Sequence, residues 1–155
     1  MQVGGAKALH TRNLSSGVDL TDPELAEAWR RVKNGTTMDN DNYCLFTYSE
    51  PKKIRVLASG SDGLRGLSSH VNPTAMLFGA IRVVADGRIR FLSVFFSGED
   101  IGRMQKGQAS MHKNAINNTL DGICGEISGL ATEEFDEASI RAKIVAACNS
   151  SNVTF

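Results

Sequence analysis

The sequence predicts an α/β chain of the α+β type, in which one sheet carries helices on both faces. Two apolar runs, Met76–Ala85 and Arg88–Ser97, are separated by Asp86-Gly87, and Asp-Gly in that setting signals a tight type I′ hairpin. Val94-Phe95-Phe96 does not alternate with polar residues, as expected of a strand covered on both sides. Flanking segments repeat their apolar residues every three or four positions, the period of an amphipathic helix.

Composition bounds the rest. The chain has 155 residues, 41% hydrophobic and 22% charged, which suits one domain with a sizeable core. Seventeen basic and seventeen acidic side chains cancel. That balance argues against bulk attraction to nucleic acid or to a membrane surface, so an electrostatic partner site must be a local patch. No apolar run reaches the ~18 residues of a membrane span, and no apolar leader of the secretory kind stands at the start. Cys44, Cys124 and Cys148 form no CxxC pair and read as reduced thiols of a cytoplasmic protein.

Residues 1–18 are rich in Gly, Ser and Asn and are expected to be a flexible N-terminal tail. The domain proper is expected over 19–149, with 150–155 as a C-terminal tail. Thr21 and Glu24 suggest a capping box, and Leu20 with Leu25 a hydrophobic staple. Leu25, Ala28, Trp29 and Val32 continue the helical stripe, and Gly35 stands where a left-handed cap would close it. Tyr43–Tyr48 and Lys53–Ala58 read as strands joined by the Ser49–Lys52 turn. A glycine-punctuated stretch then leads into a short helix with Leu64 and Leu67. After the Asp-Gly hairpin, a long helix is expected over about 99–120, with Ser97 and Asp100 as its capping box. Ile123–Leu130 reads as a strand weakened by glycines. A last helix is expected over Glu133–Cys148, its acids leading and Arg141 and Lys143 following, an order that complements the helix dipole.

The long helix is the most informative element for function. Ile101, Met104, Gln108, Met111 and Ala115 share one side, whereas Arg103, Lys106, Ser110, Lys113 and Asn117 share another. Arg103, Lys106 and Lys113 are its bases, no acid falls between Ile101 and Leu120, and His112 adds partial charge. By itself this stripe reads either as a solvated face or as a contact helix for an acidic partner, and composition does not decide between them.

The segment from Arg90 to Lys113, with Arg90-Phe91 opening a strand, Gly98-Glu99-Asp100-Ile101 as a turn and Met104-Gln105-Lys106 after it, resembles the coactosins, a branch of the actin-depolymerising-factor (cofilin) homology family. The Leu77-Phe78 strand carrying Arg82 and the Trp-containing first helix are similar too. The resemblance implies a mixed five- to six-stranded sheet flanked by helices. It implies a monomeric cytoskeletal regulator that binds actin, filament in preference to monomer, through the basic helix and the adjacent strand. In coactosins, lysines at the positions of Arg90 and Lys113 are tied to filament binding, and Lys106 matches a basic position of the motif. With Arg103 and His112 from the stripe, these make up the expected actin-binding set. Ser16-Gly17-Val18 resembles the start of cofilins, which makes Ser16 a regulatory phosphorylation site by the same likeness. The alternative within the family is a cofilin-like protein that binds monomers and severs or depolymerises filaments.

Enzymatic readings have little to stand on. Cys44 and Cys124 fall in strands amid apolar neighbours, where cysteine is usually a core residue. The three histidines show no metal spacing and no HExxH occurs. Gly60-Ser61-Asp62-Gly63 lacks a P-loop lysine. No catalytic residue, metal or cofactor is expected.

Overall fold

The structure, a computed structural model, describes residues 17–155. In chain order it runs α1 (Pro23–Asn34), β1 (Tyr43–Glu50), β2 (Lys53–Gly60), α2 (Gly63–Ser68), β3 (Met76–Ala85), β4 (Arg88–Ser97), α3 (Arg103–Asn117), β5 (Ile123–Gly129), a 3₁₀ turn (Thr132–Glu134), α4 (Glu137–Cys148) and β6 (Val153–Thr154). The strands form one six-stranded sheet in the order β2-β1-β3-β4-β5, with β6 beside β3. All pairings are antiparallel except β4 with β5, so the sheet is mixed, as expected.

The β3–β4 hairpin is the centre. Asp86 (φ 53°) and Gly87 (φ 81°) both occupy the left-handed region, which a type I′ turn requires of its two central residues. Strand alternation then sorts the core into two layers. Met76, Phe78, Ala80 and Phe95 pack under α1 and α3, whereas Leu77, Ile81, Val83, Leu92, Val94 and Phe96 pack under α2 and α4. Burying a large apolar side chain contributes roughly 1.5–3 kcal/mol, so two fully covered faces supply most of the driving force for folding.

Local signals shift by a residue or two from expectation. Asp22, rather than Thr21, caps α1, its carboxylate accepting from Glu24 N at 2.9 Å. Thr21 instead donates to Asp19 Oδ1. Asp19 and Val18 are already part of the fold, Asp19 bridging to Lys53 and Val18 being buried, whereas residues 1–16 of the expected tail lie outside the described residues. Leu20 and Leu25 share one core cluster, as a staple should. Gly35 is not left-handed (φ −68°). Glycine is needed there because a Cβ would lie 2.0 Å from Arg82 Nη1. Arg82 is buried, and its guanidinium donates to the carbonyls of Val32 and Asp41 at 2.7 Å and of Thr37 at 3.3 Å. It thereby holds the end of α1 and the following loop on β3.

Trp29 is similarly tied. Its indole Nε1 donates to Asp121 Oδ1 at 2.8 Å, and its ring meets Phe91 edge-on at 5.4 Å. The last helix starts at Glu137 under an Asp136 cap, which accepts from Ser139 N. Glu133 and Glu134 therefore belong to the 3₁₀ turn and not to its first turn. Residues 150–155 are not a tail, because Val153 and Thr154 pair with Ala85 and Val84. Asn149 makes this return possible by taking a left-handed conformation (φ 51°).

Two glycines test these packing arguments. Gly79 has φ +143°, and a Cβ there would lie 2.1 Å from the Cys44 carbonyl oxygen. Gly79→Ala should cost about 2–4 kcal/mol in urea unfolding. Gly107 lies in α3 with nothing within 4 Å of its Cβ position, so Gly107→Ala should stabilise the chain by about 1 kcal/mol.

Candidate functional site

Helix α3 joins the parallel strands β4 and β5 and lies on the α1 face of the sheet. It starts at Arg103, four residues later than expected, with Gly102 as a cap that offers no side chain. Ser97 and Asp100 do not cap it. Ser97 is wholly buried, its hydroxyl without a partner among the described residues. Ala109, His112, Ala115 and Ile116 make the inward face. Arg103, Ser110 and Asn114 look out, flanked on one shoulder by Met104 (80% exposed) and Met111 (65%) and on the other by Lys106 and Lys113.

His112 does not join the outward stripe. It is 4% exposed, and its Nδ1 lies 2.6 Å from the Tyr48 hydroxyl. Burial, and secondarily the Lys52 charge, lowers its pKa, while burial pushes the Tyr48 phenol up to about 12. The pair is thus a neutral hydrogen bond inside the domain.

Lys113 is the most constrained of the cations. Its Nζ lies 3.1 Å from Glu126 Oε2 and 5.0 Å above the Phe95 ring, and 24% of its side chain is exposed. Glu126 reaches this face because the β4–β5 register slips between Phe91 and Leu92, which inverts the side-chain alternation of β5 beyond Ile123. Arg103 and Lys106 have no carboxylate at ion-pair distance among the described residues. In the turn before α3, Glu99 accepts from Thr132 N at 2.9 Å and from Thr132 Oγ1 at 3.0 Å. Its own backbone N–H, the Thr132 donors and the Lys106 charge hold its carboxyl below the usual range.

Arg90 lies elsewhere. The period of two along β4 sets it with Leu92 and Val94, under α4, where its charge acts on the Cys148 thiol. The sheet therefore separates Arg90 from α3. The structure brings Arg103, Lys106 and Lys113 onto one helix, buries His112 beneath them and leaves Arg90 on the opposite face. Ser16 lies outside the described residues. The face of Arg90 and the neighbour Glu126 were not read from the sequence. The parity of Arg90 with Leu92 was a signal for its face; nothing local announced that Glu126 would meet Lys113.

Little here suits bond-making chemistry. Cys44 is fully buried, and burial pushes its thiol up to about 12, far from the thiolate a nucleophile needs. Among the described residues no three His, Cys, Asp or Glu side chains are grouped to hold a metal, and no helix is long and apolar enough to cross a membrane.

Residues 17–145 match the family of cofilin/tropomyosin-type actin-binding proteins. The chain belongs to this family. Coactosin of Dictyostelium discoideum is 27% identical over 131 residues, covering 81% of this chain and 88% of that protein. The mouse drebrin-like protein is 29% identical over 136 residues, 86% of this chain but 30% of that longer protein. Among solved structures, coactosin from Entamoeba histolytica superposes with a TM-score of 0.71 at 22% identity, over 87% of this chain and 99% of that one. Mouse coactosin, an actin filament binding protein, gives 0.61 at 18% identity over 78% and 85%. The cofilin-family fold read from the Arg90–Lys113 segment is therefore the observed one, and coactosin is the member type it resembles.

The buried His112 carries a pH signature. Folding makes its imidazole less basic than in the unfolded chain, so the stability tied to it is whole above about pH 6.5 and falls as pH drops below that. The carboxyls of Glu99, Asp121 and Asp136 are also lowered, but they act at more acid pH. The urea midpoint should decrease from about pH 7.5 to 5.5, and His112→Gln should flatten that interval.

Proposed function

We propose that this actin-binding family member attaches to the side of actin filaments through the outward surface of α3, as a monomeric cytoskeletal regulator of the coactosin type in the cytoplasm. Arg103 and Lys106 lead the contact and Lys113 stands at its flank. The carrying observation is that α3 presents these cations with no acidic residue between Arg103 and Asn117, the first two without an ion-pair partner among the described residues. Mouse coactosin, an actin filament binding protein with the same fold, supports the choice of filament. Exposed charge on a rigid helix steers an acidic surface into register more than it adds raw affinity. No bond is made or broken and no cofactor is needed.

Lys113 plays a smaller part than its place in the motif suggests, because Glu126 already balances it. A docked acidic surface must compete with that carboxylate. Arg90, on the far side of the sheet, is proposed as a contact to a different filament subunit from the one α3 touches.

Co-sedimentation with filaments tests this reading. Exposed ion pairs contribute about 0.2–1 kcal/mol each, so Arg103→Ala with Lys106→Ala should weaken pelleting about 2- to 30-fold at unchanged melting temperature. Lys113→Ala should weaken it less, and raising salt from about 0.05 to 0.2 M should weaken the parent chain. An isotherm indifferent to both the double substitution and salt would remove α3 from the interface. A stable complex with monomer on native gels, together with filament shortening, would favour the cofilin-like alternative.

A further inference from the structure

We infer that Thr132 is a phosphorylation site for an acid-directed Ser/Thr protein kinase, and that phosphate there silences the cationic surface of α3. The inference rests on the filament reading above. Thr132 opens the 3₁₀ turn between β5 and α4, and its hydroxyl donates to Glu99 Oε2 while its backbone N–H donates to Glu99 Oε1. These two bonds join the β5–α4 loop to the turn that launches α3. Glu133 and Glu134 follow Thr132 directly and are exposed, with Asp136 and Glu137 just beyond. A kinase with a basic substrate cleft recognises such a downstream acidic run.

The chemistry balances simply. Thr132 Oγ1 forms a bond to the γ-phosphorus of ATP as the bond from that phosphorus to the bridging oxygen of ADP breaks, and the hydroxyl proton passes to the kinase's base. The product carries close to two negative charges and no longer has a hydroxyl hydrogen to donate. The Oγ1–Glu99 bond is lost, and two anions face each other across its former length.

Neither side can move far, as their other contacts show. Gly98 N donates to Ala75 O at 2.8 Å and Asp100 N to Pro73 O at 2.9 Å. A Cβ on Gly98 would lie 2.2 Å from Pro73 O, so the turn before α3 is tightly seated. The β5–α4 loop is anchored as well, by the fully buried Phe135 packed on Phe96 at 5.2 Å, so the dianion stays beside Glu99 and α3 keeps its place. The loss of binding is then electrostatic. Lys106 stands in the first turn of α3, its backbone N–H on Gly102 O at 3.0 Å, and its charge acts on Glu99 three residues before that cap. A dianion on Thr132, whose backbone N–H donates to the same carboxylate, draws the same cation. One of the two bases of the proposed surface that have no ion-pair partner among the described residues is thereby withdrawn from actin.

The test treats the full chain with an acid-directed Ser/Thr kinase and ATP, maps the phosphate by mass spectrometry and pellets the product with filaments at low and high salt. Thr132→Val and Lys106→Ala chains are carried alongside. Phosphate should appear on Thr132. Pelleting should weaken about tenfold at low salt and by less at high salt, as screening predicts, and the Thr132→Val chain should show no such loss. In the Lys106→Ala chain, phosphate should add little. No transfer to Thr132, full occupancy with an unaltered isotherm, or an equal loss in the Lys106→Ala chain would each overturn the inference. If the unmodified chain itself fails to pellet, the filament reading falls separately. The inference is then judged on occupancy and melting: phosphate on Thr132 that lowers the melting temperature by a few degrees retains the released tie, and either result missing overturns it.

Discussion

The unbroken pairing of β3 with β4 is the constraint on which the rest of the molecule depends. Ten residue pairs, from Met76 with Ser97 to Ala85 with Arg88, run without a bulge. Both faces of this ribbon are apolar, so neither can be left to water. One face requires α1 and α3 and the other requires α2 and α4. Because β5 runs parallel to β4, the chain must cross from one end of the sheet to the other between them. That crossing is α3, so a requirement of sheet topology supplies a helix of 15 residues with one side packed on the sheet and one side facing solvent.

The charges on that helix are graded by their surroundings. Lys113 is balanced by Glu126 and rests over Phe95, Lys106 feels Glu99 without pairing to it, and Arg103 at the helix start has no ion-pair partner among the described residues. A partner's carboxylates displace less as they engage nearer the helix start. The buried layer below includes the Tyr48–His112 bond, and both partners there are held neutral near physiological pH by lack of water.

Much of this was legible in the sequence, and the gaps have physical causes. The Asp86-Gly87 hairpin, the order of helices and strands and the single cationic helix follow from short-range signals such as turn chemistry and period, which act over a few residues. The Gly98-Glu99 turn and its neighbours carried the family likeness. What stayed hidden depends on contacts distant in sequence. Nothing local shows that Val153 will pair with Ala85, that a slipped register turns Glu126 toward Lys113, or that His112 points at Tyr48 instead of at solvent. The helix period groups His112 with Ala109 and Ile116 as readily as with the bases beside it, and only the packed sheet chooses. At α1, Thr21 and Asp22 are both good caps, and Pro23, suited to the first helical position, selects Asp22.

Trp29 is the chain's single tryptophan. Its indole is fixed between Asp121 and Phe91, with 4% of the residue exposed, at the α1 side of the core. Its emission therefore reports the closure of that core and is blind to what touches the outer side of α3. Optical titrations on the native fluorophore would record unfolding faithfully and miss attachment altogether. A dye or an engineered indole on the exposed turns of α3 is what would make attachment visible.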